Sequence, residues 1–163
     1  MVRVLVETGA RIQEISDMKV ENVDLETRTI FIDDSKTTPR YVFFSPETAH
    51  VFKTYLNEPE EQDIFGAIPG KVKSLNLFPQ VDQCQKIVTS MFSALGLKEN
   101  KDGRGPHTFR HYAATWLYYC GGMDLFDLAV LLGDKPDVIR DTYIHPSADM
   151  LKTRVAKAYG WKC

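Results

Sequence analysis

A mostly helical α+β domain with one small antiparallel sheet is the fold the sequence predicts, on three observations. Apolar residues recur at helical spacing over most of the chain. Two runs rich in β-branched and aromatic residues lie close together, at residues 27–32 and 40–44. Gly, Pro or a capping residue marks most changes of pattern. Strands gathered in one place, with helices on either side in sequence, indicate α+β rather than alternating α/β. The 163 residues suffice for one domain with a real core and are too few for two ordinary ones.

The elements follow in order. Residues 2–16 carry Val4, Leu5, Ile12 and Ile15 at helical spacing, broken at Thr8-Gly9. This reads as the end of one helix, a tight glycine turn, and a short second helix bearing Arg11 and Glu14. The chain opens inside a helical pattern, so a fragment of a longer protein is expected. The runs 27–32 and 40–44 form an antiparallel hairpin with Lys36 in its turn. Ser45 caps a helix that has Pro46 at its first position and runs to about Tyr55. Residues 58–79 show little periodicity and read as a long connection. A helix over 82–95 ends at Gly96, and a polar loop covers 98–106. A strong helix over 107–119 stops at Gly121-Gly122. Asp124 caps the next helix, which ends at Gly133. Asp137 opens a short helix ending near Tyr143, His145-Pro146 breaks it, and 147–159 form the last helix.

Composition narrows the class. Hydrophobic residues make up 44% and charged residues 26%, as in soluble globular proteins. No apolar run approaches the roughly 18 residues of a membrane span, and no signal-peptide pattern opens the chain. A cytoplasmic protein is expected. Cys84, Cys120 and Cys163 form no CxxC pair, so neither a zinc site nor a disulfide frame is expected. The formal charge of −2 argues mildly against a nucleic-acid binder. Its distribution is uneven. Acids gather at 58–63 and at Asp33-Asp34, whereas Lys98, Lys101, Arg104, His107, Arg110 and His111 form a basic stretch. A second one holds Lys152, Arg154, Lys157 and Lys162. A basic face and a mixed solvated surface both fit this pattern.

Several residues have the chemistry of a phosphate site. His107 and Arg110 are three apart on a helix that begins after Gly105-Pro106, so they are expected to share a face near amides that favour an anion. A guanidinium holds phosphate bidentately, and an imidazole donates or shuttles a proton. The ordinary alternative is a helix-start His and a surface Arg. His107 and His111 have a spacing open to a metal, but no Glu lies between them as in metalloproteases and no third ligand is evident, so no metal is expected. A tyrosine hydroxyl ionises near pH ~10 and is a poor nucleophile until a base or cations assist it. Tyr143 needs such neighbours, and otherwise reads as a half-buried core residue.

The order and intervals of these residues resemble the catalytic domain of tyrosine recombinases, the phage integrase family. Thr8-Gly9-Ala10-Arg11-Ile12-Gln13-Glu14 resembles the TGxRxxE motif, and Lys36 lies where the family has a hairpin-turn lysine. Leu77-Phe78-Pro79 resembles the LFP stretch, and His107-Thr108-Phe109-Arg110 matches HxxR. Leu131-Leu132-Gly133-Asp134 matches LLGH except at its last residue, and Tyr143-Ile144-His145 resembles YxH. The similarity covers nearly the whole chain; no motif is specific alone, but their order is.

The resemblance implies site-specific DNA recombination by strand cleavage and rejoining through a 3′-phosphotyrosine. It implies that Arg11 and Arg110 clamp the scissile phosphate and stabilise its transition state. Lys36 would protonate the leaving 5′ oxygen, His107 would assist proton transfer, and Tyr143 would attack. Glu14 would orient the first arginine, and otherwise makes a surface ion pair. Arg40, Arg104, His111 and Lys135 are expected to contact DNA. No cofactor is expected; the partners would be double-stranded recombination sites and further copies of the chain, as a tetramer on DNA. Asp134 departs from the usual His. An ionised carboxylate there would repel the phosphate, unless it turns away, is protonated, or binds a cation such as Lys135. A C-terminal fragment lacking the family's N-terminal DNA-binding domain is expected. A chromosome- or plasmid-dimer resolving recombinase, an impaired DNA-binding remnant, and a helical interaction domain with accidental matches are the other readings.

Overall fold

The computed structural model describes residues 1–33, 38–57, 76–98 and 103–161. Lys36, Lys101, Lys162 and most of the connection after residue 57 lie outside the described residues. The expected α+β architecture is present: eight helices and a three-stranded antiparallel sheet among the described residues.

Helix α1 (Val2–Thr8) closes on Gly9, whose φ of 63° is the left-handed conformation that favours glycine. A β-carbon at Gly9 would also stand 2.6 Å from Leu132 Cδ2 and 3.1 Å from Ala113 Cβ, so this turn packs directly on later helices. Helix α2 (Ile12–Ser16) follows. Arg11 stands just before it in extended conformation, not on it as the sequence suggests, because Glu14 Oε2 accepts from the Arg11 N–H at 2.7 Å and caps the helix start.

A 3-10 turn (Val20–Asn22) leads into β1 (Val23–Asp24), which pairs with β2 (Thr29–Ile32). Strand β2 pairs in turn with β3 (Arg40–Phe43), Ile30 opposite Val42 and Ile32 opposite Arg40. The hairpin matches expectation. The 3-10 turn and β1 are additions, since two or three residues are too short to show a period. Helix α3 (Pro46–Asn57) starts at Ser45, whose Oγ accepts from Thr48 N at 3.2 Å. Helix α4 (Val81–Ala94) comes after Leu77, whose N–H donates to Met18 O. Then come α5 (His107–Tyr119), α6 (Leu125–Leu132, capped by Asp124), α7 (Pro136–Tyr143) and α8 (Ala148–Tyr159, capped by Ser147).

Two apolar clusters form the core. One joins α1, α2, the sheet, α3 and α4 through Val4, Leu5, Ile15, Ile30, Val42, Phe52 and Val88. The other joins α5, α6 and α7 through Ala114, Leu128, Ala129, Leu132, Ile139 and Tyr143. Helix α5 serves both: Phe109 packs in the first and Ala114 in the second. Arg110 lies between these two positions on α5.

Candidate active site

Arg110 is only 1% exposed, and each part of its guanidinium has a partner. Nη1 donates to Gly9 O at 2.7 Å, which ties α5 to the turn after α1. Nη2 donates to Leu132 O at 2.8 Å, at the end of α6. Nε donates to the Tyr143 hydroxyl oxygen at 3.1 Å, on α7. A buried cation is stable only when its donors are satisfied, and here the backbone ends of two elements satisfy them. Arg110 is thereby fixed in one orientation, with Nη2 also reaching Asp134 Oδ2 at 2.5 Å.

Arg11 arrives from the other side. Its Nη2 forms an ion pair with Asp134 Oδ1, and its Nη1 donates to Glu14 Oε1 at 3.2 Å. The two arginines, far apart in the chain, therefore converge on the two oxygens of one carboxylate. Asp134 neither turns away nor pairs with Lys135: the carboxylate binds the arginine pair itself. Lys135 is exposed and stands at the N-cap of α7.

Arg40 corrects an expectation. Instead of reaching outward to DNA, its side chain is 3% exposed and faces inward. Nη2 donates to both oxygens of Glu14, at 2.9 and 2.8 Å, and Nε donates to Leu131 O at 2.9 Å. The Glu14 side chain is 0% exposed, so this is a buried ion pair and not the surface pair considered from the sequence. The signal was available: alternation along β3 puts Arg40 and Val42 on the buried face and Tyr41 and Phe43 on the exposed one. Arg40 lies so close beneath Gly133 that a β-carbon there would stand 2.6 Å from Nη1. Arg40 thus holds Glu14, Glu14 holds Arg11, and Leu131 and Gly133 are set against them.

Tyr143 is buried, its ring in the second core cluster and its hydroxyl turned to Arg110. The His111 ring meets it edge-on at a centroid distance of 4.6 Å. The His111 imidazole is held below its ordinary pKa, first by loss of water around it, then by the charges of His107, His145 and Arg110. His145 is a neighbour that the sequence reading used only as part of a motif. His107 is exposed at the start of α5, whereas Arg110, one turn further on, is buried. The helix start also offers less to an anion than expected: Thr108 N donates to Gly105 O and Phe109 N to Pro106 O. Arg104 is exposed, with Nη1 donating to Leu97 O. Sequence reasoning did not single out the carbonyls of Gly9, Leu131 and Leu132 as arginine acceptors. Only their place beside the motif glycines hints at it.

Arg11, Arg110 and Tyr143 are thus brought together, with Asp134 between the arginines. Two guanidinium groups aimed at a pair of acidic oxygens, beside a tyrosine hydroxyl, are suited to hold a tetrahedral oxyanion next to a nucleophile. Among the described residues no group of three or more His, Cys, Asp or Glu side chains is arranged to hold a metal.

The chain is similar to known proteins over most of its length. Tyrosine recombinase XerC of Lactobacillus leichmannii is 30% identical over 154 residues, covering 88% of this chain and 48% of the relative. Tyrosine recombinase XerA of Saccharolobus solfataricus is 30% identical over 159 residues, covering 97% and 49%. The chain therefore spans about half the length of the curated relatives it matches. The crystal structure of XerH site-specific recombinase bound to difH substrate superposes with a TM-score of 0.68 at 25% identity, covering 95% of this chain and 45% of that one. The sequence model described as the phage integrase family matches residues 1–150. That match runs from α1 through α7 and takes in both converging arginines and the tyrosine, and the chain belongs to the phage integrase family.

Proposed function

We propose that this chain is the catalytic domain of a site-specific DNA recombinase that cleaves and rejoins strands through a covalent 3′-phosphotyrosine. The observation that carries the reading is the convergence of Arg11 and Arg110 on one pair of acidic oxygens, with the Tyr143 hydroxyl 3.1 Å from Arg110 Nε. In this mechanism the guanidinium groups take the non-bridging oxygens of the scissile phosphate. They stabilise the charge that builds as the Tyr143 oxygen attacks phosphorus and the 5′ oxygen leaves. Arg110 Nε–H, already donating to the phenol oxygen, holds that oxygen beside the guanidinium pair. Lys36 protonates the leaving 5′ oxygen, and His107 assists transfer of the phenol proton, with the His111 ring packed edge-on against Tyr143. The bond energy is kept in the phosphotyrosine, so rejoining needs no nucleotide cofactor.

The relatives named above are tyrosine recombinases, and the XerH structure holds a difH substrate; both support a DNA recombination site as partner. Self-association on DNA, as a tetramer, belongs to the same proposal. Its support is the exposed apolar side chains of Leu151, Val155, Tyr159 and Trp161 on and after α8. Integration of a mobile or viral element is the expected biological setting, in the cytoplasm beside host DNA. No helix among the described residues is long and apolar enough to cross a membrane.

The direct test is a nicked suicide DNA substrate, in which loss of a short fragment prevents rejoining and traps the adduct. A protein–DNA species that survives denaturing electrophoresis is expected. It should form equally in excess chelator, because Arg11, Lys36 and Arg110 supply the positive charge that a divalent cation supplies elsewhere. Noncovalent binding without any adduct supports the impaired remnant instead, and activity that appears only with magnesium contradicts the mechanism.

DNA binding by this chain is expected to be weak and to fall steeply with salt. The formal charge is −2, so attraction rests on local basic residues such as Lys98, Arg104, Lys152 and Lys157, whose phosphate contacts salt displaces. Titrations of labelled duplex at several salt concentrations measure the slope. Tight binding that hardly changes with salt contradicts this account of the interface.

A further inference from the structure

Asp134 stands where the proposed mechanism needs phosphate. Its backbone is fixed: Gly133 ends α6 at φ 68°, Gly133 N donates to Val130 O at 3.2 Å, and Asp134 N donates to Ala129 O at 3.1 Å. This closing motif delivers the side chain directly between the arginines. Oδ1 pairs with Arg11 and Oδ2 with Arg110. One planar anion thus offers an oxygen to each of two guanidinium groups, the pattern in which a phosphodiester offers its two non-bridging oxygens.

Charge makes the contact consequential. The local cluster holds three guanidinium groups (Arg11, Arg40, Arg110) and two carboxylates (Glu14, Asp134). Glu14 is bound to Arg40 as well as Arg11, so Asp134 is the carboxylate that neutralises the Arg11–Arg110 pair. It is also the more accessible of the two acids, 18% exposed against 0% for Glu14. Arg11, at 27% exposed, is the arginine open to an incoming ligand. An exchangeable anion therefore sits at the open side of the site, while the inner ion pair stays closed.

We propose that Asp134 is the resident ligand of the arginine pair: its carboxylate orders the two guanidinium groups in the empty site and is displaced by a phosphate oxygen pair when DNA enters. This rests on the reading of Arg11 and Arg110 as a phosphate clamp. Residue 134 then sets the affinity of the clamp, since each phosphate that binds must first release the carboxylate. The displaced side chain turns outward about its own torsions, because the backbone on which it sits is held by the end of α6.

The test measures binding of tungstate, a tetrahedral dianion, to wild type, Asp134→Ala and Asp134→Asn by calorimetry at constant low ionic strength. Each protein is also measured with Arg11→Gln added. Both single variants should bind at least tenfold more tightly than wild type, and Arg11→Gln should remove the gain. The variants should unfold at lower temperature than wild type without tungstate and recover with it, as linkage requires of a ligand that replaces a lost internal anion. Asp134→Asn keeps the shape of the side chain, so it covers a failure of Asp134→Ala to fold. Arginine-dependent binding that is equal or weaker in the variants overturns the role of Asp134 alone. No arginine-dependent binding in any of the proteins overturns the phosphate clamp, and this inference with it.

Discussion

Tyr143→Phe is expected to abolish covalent attachment of the chain to DNA while leaving noncovalent binding intact. The substitution removes one oxygen, the atom proposed to attack phosphorus, and leaves the ring that packs with Leu132 and Ile139 in the second core cluster. Tyr143→Ala is a poorer test because deleting a buried ring leaves a cavity, costing ~3–5 kcal/mol. The phenylalanine variant is not neutral for folding, however. The Tyr143 oxygen accepts from Arg110 Nε, and Arg110 is buried, so its loss leaves a buried charged donor without that partner. Such a loss costs ~1–3 kcal/mol, a drop of several degrees in Tm for a chain of this size. The assay is denaturing electrophoresis with the suicide substrate, followed by peptide mapping of the adduct, at a temperature where both proteins are folded. Tyr112→Phe is the control: Tyr112 is exposed on α5, stacked with Trp116 at 6.0 Å. An adduct from the Tyr143→Phe protein, or DNA mapped to another residue, shows that the nucleophile lies elsewhere.

Most of the fold was legible because it is written in local chemistry. The caps at Ser45 and Asp124, the proline at the start of α3, and the glycine ends of α1 and α6 act within one turn of the chain, and each falls where the sequence places it. The missed elements, β1 and the Val20–Asn22 turn, gain their definition from pairing and neighbours rather than from a period of their own. The site was legible as a set of residue types in order, but not as a set of contacts. Arg11 meets Asp134 across 123 positions, and Arg40 meets Leu131 across 91. Pairings of that kind depend on how α2, β3 and α6 come together, which no local pattern encodes. Asp134 shows what that gap hides. Taken alone, a carboxylate beside a phosphate site is a repulsive defect; placed between two arginines, it completes their coordination. Arg40 shows the reverse case, because period-two alternation did encode its inward direction and its charge alone suggested a surface role.

That inward arginine gives the largest expected effect on stability. Arg40→Met removes the cation that binds both oxygens of Glu14, whose side chain is fully buried. Breaking a buried pair from one side leaves an uncompensated charge and typically costs ~3–5 kcal/mol, a large share of the ~5–15 kcal/mol that holds an ordinary domain together. Arg11 still reaches Glu14 at 3.2 Å, but it does so from the open side and is shared with Asp134, so it compensates only in part. The double variant Arg40→Met with Glu14→Gln should recover much of the lost stability, since it removes both charges at once. It should not recover adduct formation in full. Glutamine supplies no charge to hold Arg11, and a thioether side chain has no N–H to donate to Leu131 O at the end of α6. Urea unfolding of wild type, both single variants and the double variant gives the coupling energy of the pair, and the suicide substrate reports the site. A single-variant cost below ~1 kcal/mol, the range of an exposed ion pair, contradicts the buried role of Arg40. Full activity in the double variant would show that the chain of contacts from Arg40 through Glu14 to Arg11 does not position the phosphate clamp.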